Sequence, residues 1–353
     1  MKLNKIKLGK KIISKEKPPY IIAEIGVNHE GSLTMAKKLI YLAKKGGADA
    51  AKFQTYKAHL ITSKFAKSYW DTKKEKTKSQ FELFKKYDLF ERKHYKELSN
   101  YCKKIKIEFI STPFDIQAVD MLDDLVKFFK ISSSDITNFP LLKKVASKKK
   151  PIILSTGAST LKEIKKALNF LKKNNCKQIV LLHCILNYPT IDSEANLNMI
   201  TSLEKNFSNH IIGYSDHTLP SKDMKNITTA YLLGARVIEK HFTINKKLIG
   251  NDHYHSMDFK DLKNLNYEIK KLRNIIGNKE KNFLKSEKKS RKFARRSLVA
   301  KNYIKKNQII RLSDLICKRP GTGLEPSKIN FIVGKKAVRN LVEDHIITKR
   351  DIK

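Results

Sequence analysis

A repeated alternation of short apolar runs with helical segments constrains the fold of this chain more than any other feature. Each run is rich in β-branched residues, ends in a polar cluster and precedes a stretch with helical spacing. Eight runs can be counted, at residues 20–25, 49–54, 107–112, 128–132, 151–155, 178–183, 210–215 and 236–241. The predicted helices include 33–46, 93–105, 139–147 and 160–174. Runs this apolar are typical of parallel strands covered on both faces, so eight βα units predict an α/β protein with a closed (β/α)8 TIM barrel rather than an open, doubly wound sheet.

The chain changes character after the eighth run. A helix is predicted over about 258–276, and a Lys-rich stretch over 277–292 follows it. Residues 293–353 form short extended pieces broken by polar turns. We therefore predict a barrel domain over 1–276, a linker over 277–292 and a small, mostly β domain over 293–353. A domain of about 60 residues has a marginal core, so we expect it to pack against another surface.

A long polar stretch separates the second and third runs. Residues 62–79 surround the lone Trp70 and carry many charges, which predicts a surface loop near the barrel mouth that could act as a lid.

The formal net charge of +40 suggests a nucleic-acid-binding protein, but the placement of the basic residues argues against one. Lysines occur in pairs and triplets along almost every predicted helix, without a single stripe interleaved with aromatic residues. This distribution is typical of solvated helix faces. A basic field could nevertheless steer an anionic substrate into a cleft.

Several features predict a cytoplasmic protein that contacts neither membrane nor nucleic acid. No apolar run approaches the roughly 20 residues that a membrane span needs. The Lys-rich residues 1–17 lack the apolar segment and cleavage site of a secretory signal. The four cysteines, Cys102, Cys176, Cys184 and Cys317, form no CxxC pair, so we expect reduced, structural thiols.

Polar side chains gather at the predicted C-terminal ends of the strands, where TIM barrels hold their active sites. Lys52 and Lys130 close the second and fourth strands, and two lysines in one barrel mouth are costly unless an anion pairs with them. With the hydroxyls of Thr112, Ser133 and Ser155 beside them, they would suit a phosphate together with a carboxylate. A Schiff-base lysine of an aldolase, or lysines that simply extend to solvent, remain alternatives.

Histidines close the last two predicted strands. His217 and His241 could reach one divalent ion, Mn²⁺, Mg²⁺ or Zn²⁺, that acts as a Lewis acid on a carbonyl. The carboxylates of Glu24, Asp216 and Asp252 could supply further ligands or a base.

Other histidines have less defined roles. His29, His253 and His255 follow the first and eighth strands, where they could touch substrate or face water. His183 lies in an apolar run and suits a hydrogen-bonded position in the core.

In this order, the motifs resemble the sialic acid synthase family, which includes N-acetylneuraminate, legionaminate and pseudaminate synthases. The matching pieces are IIAEIGVNHEGS, AKFQT, FISTPFD, FKISSSDITNFPLL, PIILSTGAS, LLHCILNYPT, IIGYSDHT, VIEKHFT, GNDHYHSM and CKRPGTG. The C-terminal part is similar to the antifreeze-like (SAF) domain of these synthases, and its linkage to a catalytic barrel favours a lid function over ice binding. The resemblance implies condensation of phosphoenolpyruvate with an N-acetylated amino sugar. N-acetylmannosamine, giving N-acetylneuraminate, is the expected sugar; 2,4-diacetamido-2,4,6-trideoxymannose, giving N,N'-diacetyllegionaminate, is the alternative.

The resemblance also implies roles for individual residues. The metal ligands would be His217 and His241, with Mn²⁺ preferred and Mg²⁺ or Co²⁺ as alternatives. The phosphoenolpyruvate-binding residues would be Lys52, Thr112, Lys130, Ser133 and Ser155. The sugar-binding residues would be Gln54, Asp135, Tyr188, Asn187, Asp252 and Arg319. Glu24 matches an acidic residue that is essential in the family, and the expected catalytic carboxylates are Glu24 and Asp252.

Two further implications concern assembly and specificity. The resemblance implies a domain-swapped homodimer, in which the small domain covers the partner's barrel mouth and Arg319 reaches the partner's sugar. Leu186 stands where some members have a sugar-binding Asn, although Asn187 follows it, and Asp135 replaces a Glu found in others.

Overall fold

The computed structural model describes residues 5–70, 72, 75–250 and 252–353, which form two compact units that divide between Ile276 and Gly277. The first unit contains β1 (Lys5–Leu8), β2 (Lys11–Ser14), β3 (Tyr20–Gly26), α1 (Leu33–Gly46), β4 (Ala50–Thr55), α2 (Ala58–Ile61), α3 (Gln80–Tyr87), α4 (Arg92–Ile105), β5 (Glu108–Pro113), α5 (Ile116–Leu122), β6 (Phe129–Ile131), α6 (Phe139–Ser147), β7 (Ile152–Ser155), α7 (Leu161–Lys173), β8 (Ile179–His183), α8 (Asn198–Asn206), β9 (Ile211–Asp216), α9 (Lys225–Leu232), β10 (Val237–His241) and α10 (Phe259–Ile276). The second unit contains α11 (Lys288–Ala294), β11 (Ser297–Ala300), β12 (Leu315–Lys318) and α12 (Ile329–Ile332).

Eight parallel strands of the first unit form one sheet in the order β5-β4-β3-β10-β9-β8-β7-β6, and the two end strands contact each other. At least one helix follows each strand. The predicted (β/α)8 TIM barrel is therefore confirmed. The observed strand ends differ from the predicted ones by no more than one residue, because turn residues bound each apolar run closely.

The interior of the barrel changes from apolar to polar along the strands. Alternate residues of a strand point to the same side, and the lower interior positions are apolar. They are Tyr20, Ile22, Ala50, Ile110, Phe128, Ile153, Val180, Leu182, Ile211 and Val237. The same period of two places a polar layer one step nearer the C-terminal ends. That layer contains Glu24, Lys52, Thr112, Lys130, Ser155 and Glu239.

A hairpin that the sequence pattern did not predict closes the N-terminal end of the barrel. Strands β1 and β2 pair antiparallel, and Ile6, Leu8 and Ile13 join the lower interior cluster. Gly9 turns the hairpin with a φ of +57°, and a Cβ there would overlap the carboxylate of Glu108. The positive φ of this turn favours glycine.

Two local features suit the sequence to its positions in the barrel unit. Helix α7 begins with a reciprocal capping box between Thr160 and Glu163, which satisfies backbone N–H groups at the helix start. Gly213 lies where β9 passes close to β10: a Cβ there would come within 2.3 Å of the carbonyl oxygen of Val237.

The predicted loop over 62–79 lies between α2 and α3. Lys67 and Ser79 form an isolated antiparallel bridge at its base. Residues 71, 73 and 74 of this predicted lid lie outside the described part of the chain.

The second unit is small and mostly extended. Its only named sheet within the described residues pairs β11 with β12 antiparallel, over a core that includes Leu298, Ile304 and Leu341. Helix α11 begins inside the stretch predicted to be a linker.

A buried carboxylate stabilises the C-terminal turn of this unit. Asp351 accepts hydrogen bonds from Thr348 and Arg339. Burial alone would raise the pKa of Asp351, but the hydrogen bonds from Thr348 and Arg339 outweigh it and lower the pKa to about 2. In neither unit is a described helix both long and apolar enough to cross a membrane.

Candidate active site

A cavity of about 490 Å³ lies at the C-terminal ends of the barrel strands. Most residues that the sequence assigned to the site line it: Glu24, Lys52, Gln54, Thr112, Lys130, Ser133, Asp135, Ser155, Tyr188, His217, His241 and Asp252. Two of them do not line the cavity. Asn187 is exposed after β8, where its backbone carbonyl oxygen accepts a hydrogen bond from the Thr190 hydroxyl at 2.9 Å. Arg319 belongs to the second unit.

Two lysines and two glutamates form the floor of the cavity. The Lys52 ammonium forms an ion pair with Glu24 and lies 3.8 Å from Oε1 of Glu239. The Lys130 ammonium lies 3.7 Å from the same oxygen. Gln54 donates to the other oxygen of Glu24 at 3.0 Å. These four charged side chains are all at least nine-tenths buried, so their charges act through a medium that screens them weakly.

Burial and neighbouring charges shift these groups in different directions. Burial raises the pKa of Glu24, against the lowering effects of Lys52 and His241. Burial would also raise the pKa of Glu239, but Lys130 and Lys52 lower it on balance. Burial lowers the pKa of Lys130. For Lys52, burial alone would lower the pKa, and Glu239 and Glu24 raise it on balance.

Hydroxyl groups surround the lysines. Thr112 accepts a hydrogen bond from Lys52 at 3.3 Å, and Ser133 accepts one from the backbone N–H of Gly157 at 3.0 Å. The Ser155 hydroxyl is buried and has no hydrogen-bond partner among the described residues. Because buried hydroxyls are normally paired, Ser155 is available as a donor to a bound anion.

His217 and Tyr188 form the opposite side of the cavity. Nδ1 of His217 lies 2.6 Å from the carbonyl oxygen of Ile185, which fixes that nitrogen as the protonated one and leaves Nε2 with its lone pair. Burial lowers the pKa of His217 to about 4, so the ring is neutral at neutral pH. The ring stacks obliquely on Tyr188 with centroids 4.2 Å apart. A neutral imidazole fixed through Nδ1 is the usual form of a metal-ligating histidine.

A second imidazole and a carboxylate lie beside His217. The ring centroids of His217 and His241 are 5.7 Å apart, and Nδ1 of His241 lies 3.3 Å from Oδ2 of Asp252. Burial alone would lower the pKa of His241, but the Asp252 carboxylate raises it on balance. Conversely, burial would raise the pKa of Asp252, and His241 holds it well below its usual range.

The structure adds His255 to this group. Potential ligand atoms of His241, Asp252 and His255 all lie within 4.8 Å of one another, and all three residues are buried. The sequence left the role of His255 open. Its position three residues after Asp252, in the loop that follows β10, was the available signal. The imidazole and carboxylate donors fit a divalent transition metal.

Asp216, which was predicted as a further ligand or base, binds other partners. Its carboxylate forms a fully buried ion pair with Lys240 at 2.6 Å and accepts hydrogen bonds from Tyr214 and Thr218. Lys240 also donates to the carbonyl oxygen of Thr218 at 2.8 Å. The pair links β9 to β10 immediately before His217 and His241, so it holds the two imidazoles in place.

One wall of the cavity is apolar. Its members share large aromatic or aliphatic side chains, which come from the segments around α2 and α3 and, for Phe114, from the end of β5: Tyr56, Leu60, Ile61, Tyr69, Leu83, Phe84 and Phe114. Tyr56 packs edge-on against Phe84 and Phe114, with centroids 5.4 and 6.0 Å away. The cavity therefore combines a charged floor with an apolar side.

His183 and His253 have partners outside this group. His183 packs on Tyr214 and its Nε2 lies 2.9 Å from the carbonyl oxygen of Ala195, as expected for a core histidine. Nδ1 of His253 lies 2.7 Å from the Thr243 hydroxyl. Glu239, which received no role from the sequence, lies between the two lysines. Its place two residues before His241, on the same side of β10, could have indicated it.

Comparison with known proteins identifies the family. A model of the NeuB family matches residues 39–281, and a model of the SAF domain matches residues 295–353. The chain belongs to the NeuB family. Membership confirms that this chain is an enzyme, a phosphoenolpyruvate-dependent synthase of nonulosonic acids. The second match confirms that a SAF domain follows its barrel. Members depend on a metal, and the cluster of His241, Asp252 and His255 is a possible site for it.

Named relatives of this NeuB-family enzyme differ in their sugar. N,N'-diacetyllegionaminic acid synthase of Campylobacter jejuni is 44% identical over 336 residues, covering 94% of this chain and 99% of that protein. The protein of the same name from Legionella pneumophila is 42% identical over 329 residues, covering 91% of each. The crystal structure of an N-acetylneuraminic acid (sialic acid) synthetase from Leptospira borgpetersenii, in complex with citrate, is 33% identical with a TM-score of 0.72, covering 81% of this chain and 94% of that chain.

Proposed function

We propose that this enzyme condenses phosphoenolpyruvate with 2,4-diacetamido-2,4,6-trideoxymannose to give N,N'-diacetyllegionaminate and phosphate. The observation that carries the proposal is the composition of one cavity, which joins a buried two-lysine floor, a histidine–carboxylate cluster and an apolar wall. The floor suits phosphoenolpyruvate, the cluster suits a metal-bound carbonyl, and the wall suits a sugar that has lost a hydroxyl.

Phosphoenolpyruvate would bind at the lysines. Lys52 and Lys130 would neutralise its phosphate and carboxylate through charge-assisted hydrogen bonds, while Thr112, Ser133 and Ser155 complete the donor set. The unpartnered Ser155 hydroxyl supports this assignment, since a bound anion would satisfy it.

The reaction then uses the groups around the floor. C3 of phosphoenolpyruvate forms a bond to the aldehyde carbon of the open-chain sugar as the C2–C3 and carbonyl double bonds become single bonds. The former carbonyl oxygen takes up a proton, and positive charge develops at C2. A water oxygen bonds to C2, and the C2–oxygen bond to phosphate breaks, so that phosphate leaves and a keto acid remains. Lys52 and Lys130 stabilise the leaving phosphate. A divalent ion held by His217 and His241 would supply Lewis-acid polarisation of the sugar carbonyl.

Of the two candidate bases, the pKa shifts favour Glu24. Burial raises the pKa of Glu24, which brings a carboxylate nearer to the range where it can accept and return a proton. His241 instead lowers the pKa of Asp252, which keeps that carboxylate ionised and suits it to bind a cation. We assign Glu24 to proton removal from the attacking water.

The choice of sugar depends on the apolar wall. A 6-deoxy sugar presents a methyl group, and a second acetamido group presents another, where N-acetylmannosamine presents hydroxyls. Leu60, Leu83 and Phe84 offer such groups apolar contact. The 44% and 42% identity to the two legionaminic acid synthases points the same way. N-acetylmannosamine, the first sugar expected from the sequence, is the second candidate, supported by the 33% identity to the sialic acid synthetase.

Phosphate release from phosphoenolpyruvate with each purified sugar tests the proposal. We expect kcat/KM to be about 10-fold or more higher for the diacetamido sugar, the range in which apolar pockets separate substrates that differ by one small group. Equal or better use of N-acetylmannosamine would select the second candidate. Absence of phosphate release with either sugar and added Mn²⁺ would refute both sugar assignments.

Variants test the assigned residues. His217→Ala and His241→Ala should each abolish metal-dependent phosphate release while the far-UV circular dichroism spectrum is retained. Full activity in either variant would contradict its assignment as a ligand. A borohydride-trapped adduct with Lys130 would instead favour the aldolase alternative.

The domain-swapped homodimer and the role of Arg319 are predictions that subunit mixing can test. Lys130→Met should inactivate a barrel, and Arg319→Ala should mainly weaken sugar use. If Arg319 acts on the partner's sugar, refolding the two variants together creates one complete site per heterodimer, and activity reappears. Activity that stays at the level of the separate variants would argue against the exchange. Mn²⁺ as the physiological ion and a cytoplasmic location also remain predictions.

A further inference from the structure

His255 presents an unusual burial problem. Its side chain is fully buried, and neither ring nitrogen has a hydrogen-bond partner among the described residues. Nearly all buried polar side-chain atoms are paired, because an unpaired one loses its hydration without compensation. Each of these nitrogens therefore needs a partner other than the described protein atoms, and an ion or a water can satisfy one of them.

The position of His255 shows what that partner can be. Its ligand atom belongs to a group with those of His241 and Asp252 in which every separation is within 4.8 Å. On an ion with bonds of about 2.1 Å, two ligands at right angles lie about 3.0 Å apart and opposite ligands about 4.2 Å apart. The 3.3 Å between Nδ1 of His241 and Oδ2 of Asp252 is close to the first separation, and the limit of 4.8 Å on every separation in the group is slightly above the second.

Contact with substrate explains His255 less well. His255 is absent from the residues that line the cavity, whereas His217, His241 and Asp252 line it. Its ring neighbours are His241, Tyr254 and Tyr188, with centroids 4.9, 5.1 and 5.6 Å away. An imidazole behind the cavity wall can bind an ion at that wall more readily than it can contact a sugar in the cavity.

We propose that His255 is a further imidazole ligand of the divalent ion, together with His241 and Asp252. The inference rests on the metal dependence that the proposed function requires, and it deepens that function by naming a ligand outside the predicted pair. Each added imidazole shifts a site from Mg²⁺ and Mn²⁺ toward Zn²⁺ and Co²⁺, because nitrogen ligands favour the later transition metals. We therefore expect this site to bind Co²⁺ and Zn²⁺ more tightly than Mn²⁺.

Replacing His255 by leucine distinguishes a metal-ligand role from a packing role. If His255 only fills space between aromatic rings, His255→Leu removes two unpaired polar atoms and leaves metal affinity unchanged. If His255 is a ligand, His255→Leu leaves the metal-free protein equally or more resistant to heat, but weakens the metal. His183→Gln is the matched control, because His183 is also buried on the barrel yet its Nε2 already contacts Ala195.

The experiment is calorimetric titration of the EDTA-treated full-length chain with Co²⁺, Zn²⁺ and Mn²⁺, together with the visible absorption spectrum of the Co²⁺ form. His255→Leu should lower Co²⁺ and Zn²⁺ affinity at least 10-fold and Mn²⁺ affinity less, and should alter the Co²⁺ bands. His183→Gln should match the wild type. Affinities within two-fold of wild type in His255→Leu, with unchanged Co²⁺ bands, overturn the proposal. If that variant does not fold, His255→Gln decides by the same criteria.

Activity separates this inference from the proposed function. Phosphate release by the wild type, together with wild-type metal affinity in His255→Leu, would overturn only the role of His255. Loss of metal affinity in His255→Leu, in a wild type that releases no phosphate with either sugar, would overturn only the proposed function.

Discussion

The buried ion pair between Lys240 and Asp216 gives the sharpest stability prediction. The exposed fractions of the two side chains are 0% and 2%, and the ammonium lies 2.6 Å from the carboxylate. Lys240→Met keeps a long unbranched side chain but leaves Asp216 as a buried charge without its cation. Tyr214 and Thr218 still donate hydrogen bonds to that carboxylate, although they carry no charge to balance it.

Breaking a buried pair on one side costs about 3–5 kcal/mol, because the remaining charge is desolvated without compensation. Adding Asp216→Asn to Lys240→Met removes that charge, while the amide oxygen can still accept hydrogen bonds from Tyr214 and Thr218. The double variant should therefore be more stable than Lys240→Met alone. A stabilising effect of Asp216→Asn in the Lys240→Met background distinguishes an unpaired charge from a simple packing defect.

Urea unfolding followed by circular dichroism at 222 nm measures these differences, since most of the helices belong to the barrel unit. Lys144→Met is the matched control, because Lys144 pairs with Asp120 at 2.8 Å on side chains that are 31% and 52% exposed. It should cost less than about 1 kcal/mol. A loss in Lys240→Met no larger than in this control, or a double variant less stable than Lys240→Met, would refute the reasoning.

Three further predictions concern other parts of the fold. Gly213→Ala should destabilise the barrel by about 1–3 kcal/mol in urea unfolding, because the new methyl group overlaps the backbone of Val237; an unchanged midpoint would show that β9 and β10 can separate freely. Thr160→Ala should cost about 1 kcal/mol through loss of the α7 cap, and Thr160→Ser should restore most of it in the same assay. Because the folded pKa of Asp351 is about 2, below the unfolded value of about 3.9, its stabilising contribution is present above pH 4 and is lost as the pH falls toward 2. Scanning calorimetry of Asp351→Asn should therefore show a weaker dependence of stability on pH in that window than the wild type, and parallel curves would contradict the assignment.

Local pattern was sufficient for the barrel. Each apolar run is bounded by turn residues, and the alternation with helical segments recurs eight times, so the positions of the strands follow from neighbouring residues alone. The hairpin β1–β2 escaped prediction because its strands are four residues each and Lys-rich, and its apolar residues match the barrel interior only after the barrel has formed.

The candidate active site was also predictable only in part. Lys52, Lys130, His217 and His241 could be placed at the barrel mouth from sequence, because the C-terminal ends of parallel strands converge there. The partners of these residues could not. Whether Lys52 pairs with Glu24 depends on the registration of β3 against β4, which no local pattern encodes.

The sequence by itself determined the eight barrel strands and the polar residues at their C-terminal ends, because turn residues bound each apolar run. Only the tertiary structure decided which of those residues meet. It paired Asp216 with Lys240 and so removed it from the metal group, set Glu239 between two lysines, and brought His255 from a loop to His241. The physical reason is that distances across a closed barrel depend on all eight strands at once, whereas periodicity reports one strand at a time.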